Sequence, residues 1–279
     1  MAERAAWRRV TPAAGQVLDA LHARIVEPFA PHLHEEFAVG ACTEGVEVIR
    51  YRGARHYSGP GSVAVLQAGE PHTGEPLDRS GFVYRVMYPA SDLLREASGQ
   101  VPWFPEPVVT DPELADGLRR VHVALGRNTD PFELESGLAW LLGELVRRHG
   151  AGSVADVGPR TASAATRLVM ATLSDRLACP PALAEMAAQA GMSRYQLVRA
   201  FAAEVGMPPY AWLAQHRVAR ARGLLEQGRG LAETAALTGF ADQAHLTRWF
   251  RRVVGVTPGV YRNSVQDTTK PPESSFPGR

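Results

Sequence analysis

Residues 183–201, LAEMAAQAGMSRYQLVRAF, and residues 231–250, LAETAALTGFADQAHLTRWF, are two versions of one unit. Their first leucines are 48 positions apart; after one inserted residue the match resumes at Leu197 and Leu246. Two copies are too few for a solenoid, so they form a duplicated supersecondary unit. Each copy reads as a helix, a short turn with a glycine, and a second helix. Gly191 and Gly239 suit a backbone that turns with positive φ, and Ser193 and Asp242 are good N-caps for the following helix. This is the sequence form of a helix-turn-helix, whose second helix enters the DNA major groove.

Helical phase at 100° per residue divides the work within each second helix. In the second copy Leu246, Trp249, Phe250 and Val253 form the inward stripe. Ala244, Thr247, Arg248 and Arg251 lie opposite, flanked by Gln243 and His245. In the first copy Leu197 and Phe201 anchor the core. Tyr195, Val198, Arg199 and Ala202 face outward, flanked by Arg194 and Gln196. Arginine pairs with guanine and glutamine with adenine, and the N-terminal part of a reading helix is the part that reaches bases. The expected DNA contacts are therefore Arg194, Tyr195, Gln196, Arg199, Gln243, His245, Thr247, Arg248 and Arg251, with Arg251 further along and better placed for phosphate.

Charge follows the same division. The formal net charge of the 279-residue chain is only +1. Residues 1–159 hold 15 Arg against 21 Asp or Glu, whereas residues 160–262 hold 13 Arg against 6. A basic half beside an acidic half points to a polyanion partner for one of them. Between the copies, residues 208–228 read as a long helix carrying Arg217, Arg220 and Arg222. About 19 residues at ~1.5 Å each span roughly 28 Å, near the ~34 Å of one DNA turn. A strut of that length suits two reading helices in successive grooves.

The first half reads differently. Residues 17–90 contain short β-rich runs (FAVGAC, VEVIRYRG, SVAVLQ, FVYRVMY) separated by Gly- and Pro-containing turns, the pattern of a small sandwich or barrel. From residue 111 two helices follow, each with an Asp N-cap and Pro at its first position. The second carries a stripe of Leu134, Leu138, Leu141, Leu142 and Leu145, the expected seam of a homodimer through residues 131–149. The fold class is thus multidomain: a barrel with C-terminal helices at 1–150, a linker at 151–162, an all-α domain at 163–262 and a polar tail at 263–279, expected to be disordered. Two cysteines, no signal-peptide pattern and no membrane-length apolar run make a cytoplasmic location the default expectation.

Residues 163–262 resemble the DNA-binding domain of the AraC/XylS family of bacterial transcription regulators. The resemblance is carried by AALTGFADQAHLTRWFRRVVGVTPGVYR, notably Gly239-Phe240, Arg248, Phe250, Gly255, Thr257-Pro258 and Tyr261-Arg262. It implies two helix-turn-helix units joined by a linker helix and binding to promoter DNA, with RNA polymerase as a further partner. Val198 stands where the family commonly has a polar residue. Residues 1–150 resemble the family's cupin-like sensor through PHLHEEF (31–37) and GPGSVAVLQAGEPHTGEP (59–76), which implies control by a small-molecule effector.

The sensor's histidines leave three readings open. His32 and His34 form an HxH pair, and His72 on a neighbouring strand completes a set suited to zinc or iron. Cupin enzymes use such a cluster, although Gln67 stands where a proline is usual. Alternatively, His32, His34 and His72 line an organic effector pocket together with His22, Glu36, Glu47, Tyr51 and Tyr84. The third reading is that the histidines are structural. The expected function is a one-component regulator without catalytic residues or an organic cofactor; the alternative is a metal-dependent cupin enzyme or metal sensor fused to a DNA-binding domain.

Overall fold

The computed structural model describes residues 4–13, 16–127, 129–151 and 159–267. In chain order the strands and helices are β1 (Arg4–Ala13), β2 (Gln16–Ile25), β3 (Ala38–Glu44), β4 (Glu47–Tyr51), β5 (Ala54–Ser58), β6 (Ser62–Leu66), β7 (His72–Pro76), β8 (Phe82–Tyr88), α1 (Ser91–Ser98), β9 (Val108–Thr110), α2 (Pro112–Leu125) and α3 (Pro131–His149). There follow α4 (Pro159–Asp175), α5 (Leu183–Gln189), α6 (Arg194–Val205), α7 (Pro209–Glu226), α8 (Leu231–Thr238), α9 (Gln243–Val254) and α10 (Pro258–Asp267). Among the described residues no helix is long and apolar enough to cross a membrane.

The strands form two antiparallel sheets, one in the order β1-β2-β8-β3-β6-β9 and the other β5-β4-β7. The large sheet is buried on both faces because its strands alternate between two cores. Leu21, Ala38, Cys42, Ala64, Leu66, Tyr84 and Val86 meet Ile49 and Tyr51 of the small sheet. Their neighbours Leu18, Ala20, Val39, Val63, Val65 and Met87 point the other way, against α1, α2 and α3. A two-residue period with both faces apolar explains why β3 and β6 read as continuous hydrophobic runs.

β1, β2, β5, β7 and β9 lie outside the expected strand runs. β1 is an edge strand paired only with β2, and its exposed Arg8 and Arg9 hide the alternation. β7, HTGEP, reads as turn material, yet it registers residue by residue against β4. Gly74 is required there: a Cβ would lie 2.5 Å from the Phe29 ring and 2.6 Å from Glu47 Oε1. β9 is a short strand on the far edge. By contrast, both expected Asp N-caps form: Asp111 accepts from the amide of Leu114, and Asp130 from that of Phe132.

Packing divides the chain at places other than the expected linker. One compact unit runs to Leu168 and also takes in Ala182–Pro208; the other consists of Val169–Pro181 and everything from Pro209. The first helix-turn-helix, α5 and α6, therefore belongs with the sheets. α4 begins at Pro159, inside the segment expected as linker, and residues 152–158 lie outside the described residues. α10 continues to Asp267 in the expected tail, whose remainder is likewise outside.

The expected dimer seam needs correcting. Leu138, Leu141, Leu142 and Leu145 are all buried in the core under the large sheet, with Leu134 packed against it. Burying such a leucine contributes roughly 1.5–3 kcal/mol to folding. The residues expected at the seam are therefore packed within one chain.

Candidate DNA-reading helices and sensor pocket

α9 is built as the sequence suggests. Gly239 turns the chain at φ 82°, and a Cβ there would lie 2.2 Å from the carbonyl oxygen of Ala178, so only glycine fits. Asp242 caps the helix by accepting from the amide of His245 at 2.6 Å. Leu246 and Phe250 are fully buried and Trp249 nearly so. Gln243, Ala244, Arg248, Arg251 and Arg252 are exposed, and Thr247 is half-buried with its hydroxyl on the Gln243 carbonyl. Arg252 covers the Trp249 ring at 4.9 Å. Val253, expected inward, is exposed at the helix end.

His245 corrects the expectation of a base contact, because it is 0 % exposed. Its Nδ1 accepts from the Ala241 amide at 3.3 Å, so Nε2 carries the hydrogen towards the Tyr210 hydroxyl at 3.1 Å. Phe240 and Tyr210 close over the ring. His245 fastens α9 to its turn and to α7. Arg217 of α7 is likewise structural: it is buried and donates to the carbonyls of Leu177 and Ala178. Arg220 and Arg222 remain on the surface.

α6 has the same local design and different surroundings. Ser193 and Gln196 form a reciprocal capping box, which commits Gln196 to the helix start. Leu197 and Phe201 are buried as expected and Arg199 is exposed. Arg194 and Tyr195, however, are only 6 % and 2 % exposed, and Val198 is fully buried. These three residues were expected on or beside the outward face. Arg194 is paired with Glu96 and Glu135, and the Tyr195 hydroxyl donates to Glu144 Oε1 at 2.8 Å. Neither side chain is available to DNA in this arrangement.

In the β domain a hollow of about 460 Å³, including its open mouth, is lined by both sheets. His32, His34, Glu47, His72 and Tyr84 line it as expected, together with Phe29, Cys42, Ser58 and Tyr88, which sequence reasoning did not single out. Their signal was alternation: Cys42, Tyr84 and Tyr88 share a strand face with the apolar core residues. Three expected pocket residues lie elsewhere. His22 is on the opposite face of β2, edge-on to His122. Tyr51 is packed between the sheets and its hydroxyl accepts from the Gln67 amide. Glu36 does not reach the hollow.

At one side of the hollow His32, His34 and His72 each bring a ligating atom within 4.8 Å of the others. His32 sits on an isolated bridge to His72 and not on the strand expected for the HxH pair. The Nδ1 atoms of His32 and His72 face the carbonyls of Ala30 and Glu70 at 3.0 and 3.2 Å. A neutral ring held this way carries its hydrogen on Nδ1 and keeps Nε2 as the lone pair. Burial pushes His72 down to about 4 and also lowers His34, so both rings are neutral at pH 7. Glu47 is pushed up to about 8 by burial, which makes it a protonated hydrogen-bond donor at neutral pH. Cys42, also buried, is pushed up to about 12 and is a poor nucleophile, whereas Cys179 is exposed.

The two halves match separate family descriptions: residues 16–142 match the AraC-like ligand binding domain, and residues 186–264 a helix-turn-helix domain. The chain belongs to the AraC-type transcription regulators. It is 27% identical over 228 residues to the uncharacterized HTH-type transcriptional regulator YbfI of Bacillus subtilis, covering 80% of this chain and 82% of that one. To the HTH-type transcriptional activator RhaS of Klebsiella pneumoniae it is 24% identical over 242 residues, covering 82% of this regulator and 86% of RhaS. Among solved structures, the DNA-binding domain of AdpA, determined with a target DNA, is 31% identical over 37% of this regulator and 95% of that chain, with a TM-score of 0.35.

Proposed function

We propose that this regulator reads promoter DNA through the exposed face of α9, with Gln243, Thr247, Arg248 and Arg251 as the contact residues, and that a small molecule in the β-domain hollow controls that reading. The observation that supports the first part is the division of α9. One face is locked by Leu246, Trp249 and Phe250, and the other carries an exposed Gln and Arg set next to a capped N-terminus. On this reading the protein acts as a cytoplasmic regulator without catalysis. The test is selection of bound sequences from a random duplex library, repeated with Arg248→Ala. Loss of preference at one base position supports the assignment; an unchanged selected motif removes Arg248 from it.

The hollow suits an occupant with an apolar body and a polar end. Ile49, Leu66 and Val86 make its walls, and the histidines and protonated Glu47 its polar contacts. The three imidazoles favour a second reading, in which the effector is or includes a divalent cation. Two of the rings are held by their Nδ1 hydrogens, and two are neutral, as metal ligation requires. Such an ion would supply a Lewis-acidic anchor for an anionic group of the effector. Metal analysis and thermal shift with zinc, then with EDTA, separate the readings. Stoichiometric metal and a chelator-sensitive Tm support the cation; no metal and an unchanged Tm leave the organic effector.

A further inference from the structure

α6 is covered on both sides. Leu197 and Phe201 anchor it from within, and Tyr195, on the side a reading helix presents to the groove, is buried as well. The cover is a socket on the sensor helices α1 and α3, walled by Leu93, Ala97, Leu138 and Leu142. The Arg194 guanidinium donates to both Glu96 oxygens and, at 3.3 Å, to Glu135, and its backbone amide donates to Glu96 at 3.1 Å. Glu135 also accepts from the amides of Leu183 and Ala184, at 2.9 and 3.1 Å. Tyr195 joins the sensor core, and Glu144 accepts its hydroxyl. Its ring lies on Gly143, where a Cβ would stand 1.9 Å from Tyr195 Cδ2. The fit therefore depends on a missing methyl group in the middle of α3.

We propose that this socket is a latch that holds the first reading helix closed, and that full DNA binding requires α6 to leave it. Glu96 and Glu135 give Arg194 the carboxylate oxygens that a DNA backbone would replace with phosphate oxygens. Tyr195 leaves the sensor core when the helix is presented to a groove. The closed form reads DNA with α9 alone; the open form reads with both copies. This inference rests on the DNA-binding reading above.

Gly143→Ala tests it without changing charge. Alanine is favoured over glycine inside a helix, so α3 is retained while the Tyr195 berth is filled. The probe is a random-sequence 30-base-pair duplex followed by fluorescence anisotropy, with amide hydrogen exchange on the same full-length protein. Opening a helix that is closed about nine-tenths of the time strengthens apparent binding about tenfold. We expect that gain, with faster exchange in α6. Glu96→Gln is expected to act in the same direction, and Glu106→Gln, an exposed acid outside the socket, supplies the charge control. Should Gly143→Ala fail to fold, Glu96→Gln measured against Glu106→Gln decides. Faster exchange in α6 without a gain in DNA binding overturns the latch. Arg248→Ala in the same assay separates the two readings: if it binds like the parent, α9 is not the reader, whereas the latch is judged by the exchange of α6.

Discussion

α6 and α9 descend from one pattern and have different fates. Aligned on Leu197 and Leu246, the N-caps Ser193 and Asp242 coincide, as do Phe201 with Phe250 and Arg199 with Arg248. The caps, the turn glycines and the core anchors all form in both. The differences are on the outer face. Arg194, Tyr195 and Val198 occupy the positions of Gln243, Ala244 and Thr247, and the first three are buried where two of the second three are exposed and the third only half-buried. A helix-turn-helix is thus specified locally, but what its reading face touches is specified by residues far away in the chain.

The comparison is broken most directly at its anchors. Phe201→Ala and Phe250→Ala should each cost about 3–5 kcal/mol. Because α6 belongs to the sheet-bearing unit and α9 packs with α7 in the other, the two losses should appear in different unfolding transitions, followed by tyrosine and tryptophan signals in urea. A shared shift of one transition would show that the two copies unfold together.

Next in size is DNA affinity. Arg248→Ala should cost about 1–3 kcal/mol in specific binding, measured by anisotropy on a selected duplex. Arg199→Ala should cost less in the parent protein and approach the Arg248 value once Gly143→Ala is added.

A pH effect distinguishes the sheet-bearing unit. His72 and His122 are pushed down to about 4 from the ordinary 6.5, chiefly by burial. The unfolded chain therefore binds protons that the folded one refuses. Stability from these rings is complete above pH 6.5 and is lost as the pH falls towards 4. Glu47 acts in the opposite sense: raised to about 8, it stabilises below its ordinary 4.5 and loses that contribution as the pH climbs through 8. His72→Gln should flatten the acid limb of Tm against pH, and Glu47→Gln the alkaline limb.

The smallest effects are at the caps. Ser193→Ala and Asp242→Ala should each cost about 1 kcal/mol in thermal melts. Equal costs would show that the copies share a frame; a much larger cost at Ser193 would show that the capping box also supports the contact with α1 and α3.

What the sequence disclosed follows a physical boundary. Features set within a few residues were legible: the Asp111, Asp130, Ser193 and Asp242 caps, the positive φ of Gly191 and Gly239, the inward Leu246 and Phe250. The convergence of His32 and His34 with His72 was anticipated from strand alternation, yet it is reached through an isolated bridge between His32 and His72 and not through a paired strand. What escaped depends on distant partners. Helical phase places His245 at a flank, and only the folded turn brings Phe240 and Tyr210 over it. Tyr195 looks like an exposed aromatic until Gly143, 52 positions earlier, is seen beneath its ring. The leucines of α3 form a stripe whichever surface meets them; that the surface is the chain's own sheet, and not a second chain, is a tertiary fact. β1 was hidden because an edge strand exposed on both faces from Ala5 to Arg9 has no need to alternate.

The two cysteines have a practical consequence. Cys42 is buried with its thiol pushed up to about 12, whereas Cys179 is exposed beside Ala178, the residue whose carbonyl forces glycine at position 239. A maleimide dye at neutral pH should therefore attach at one place in the unmodified protein, one residue from the backbone contact that sets the turn before α9. The native sequence thus supplies its own spectroscopic reporter at the root of the reading helix, with no cysteine needing to be removed or introduced.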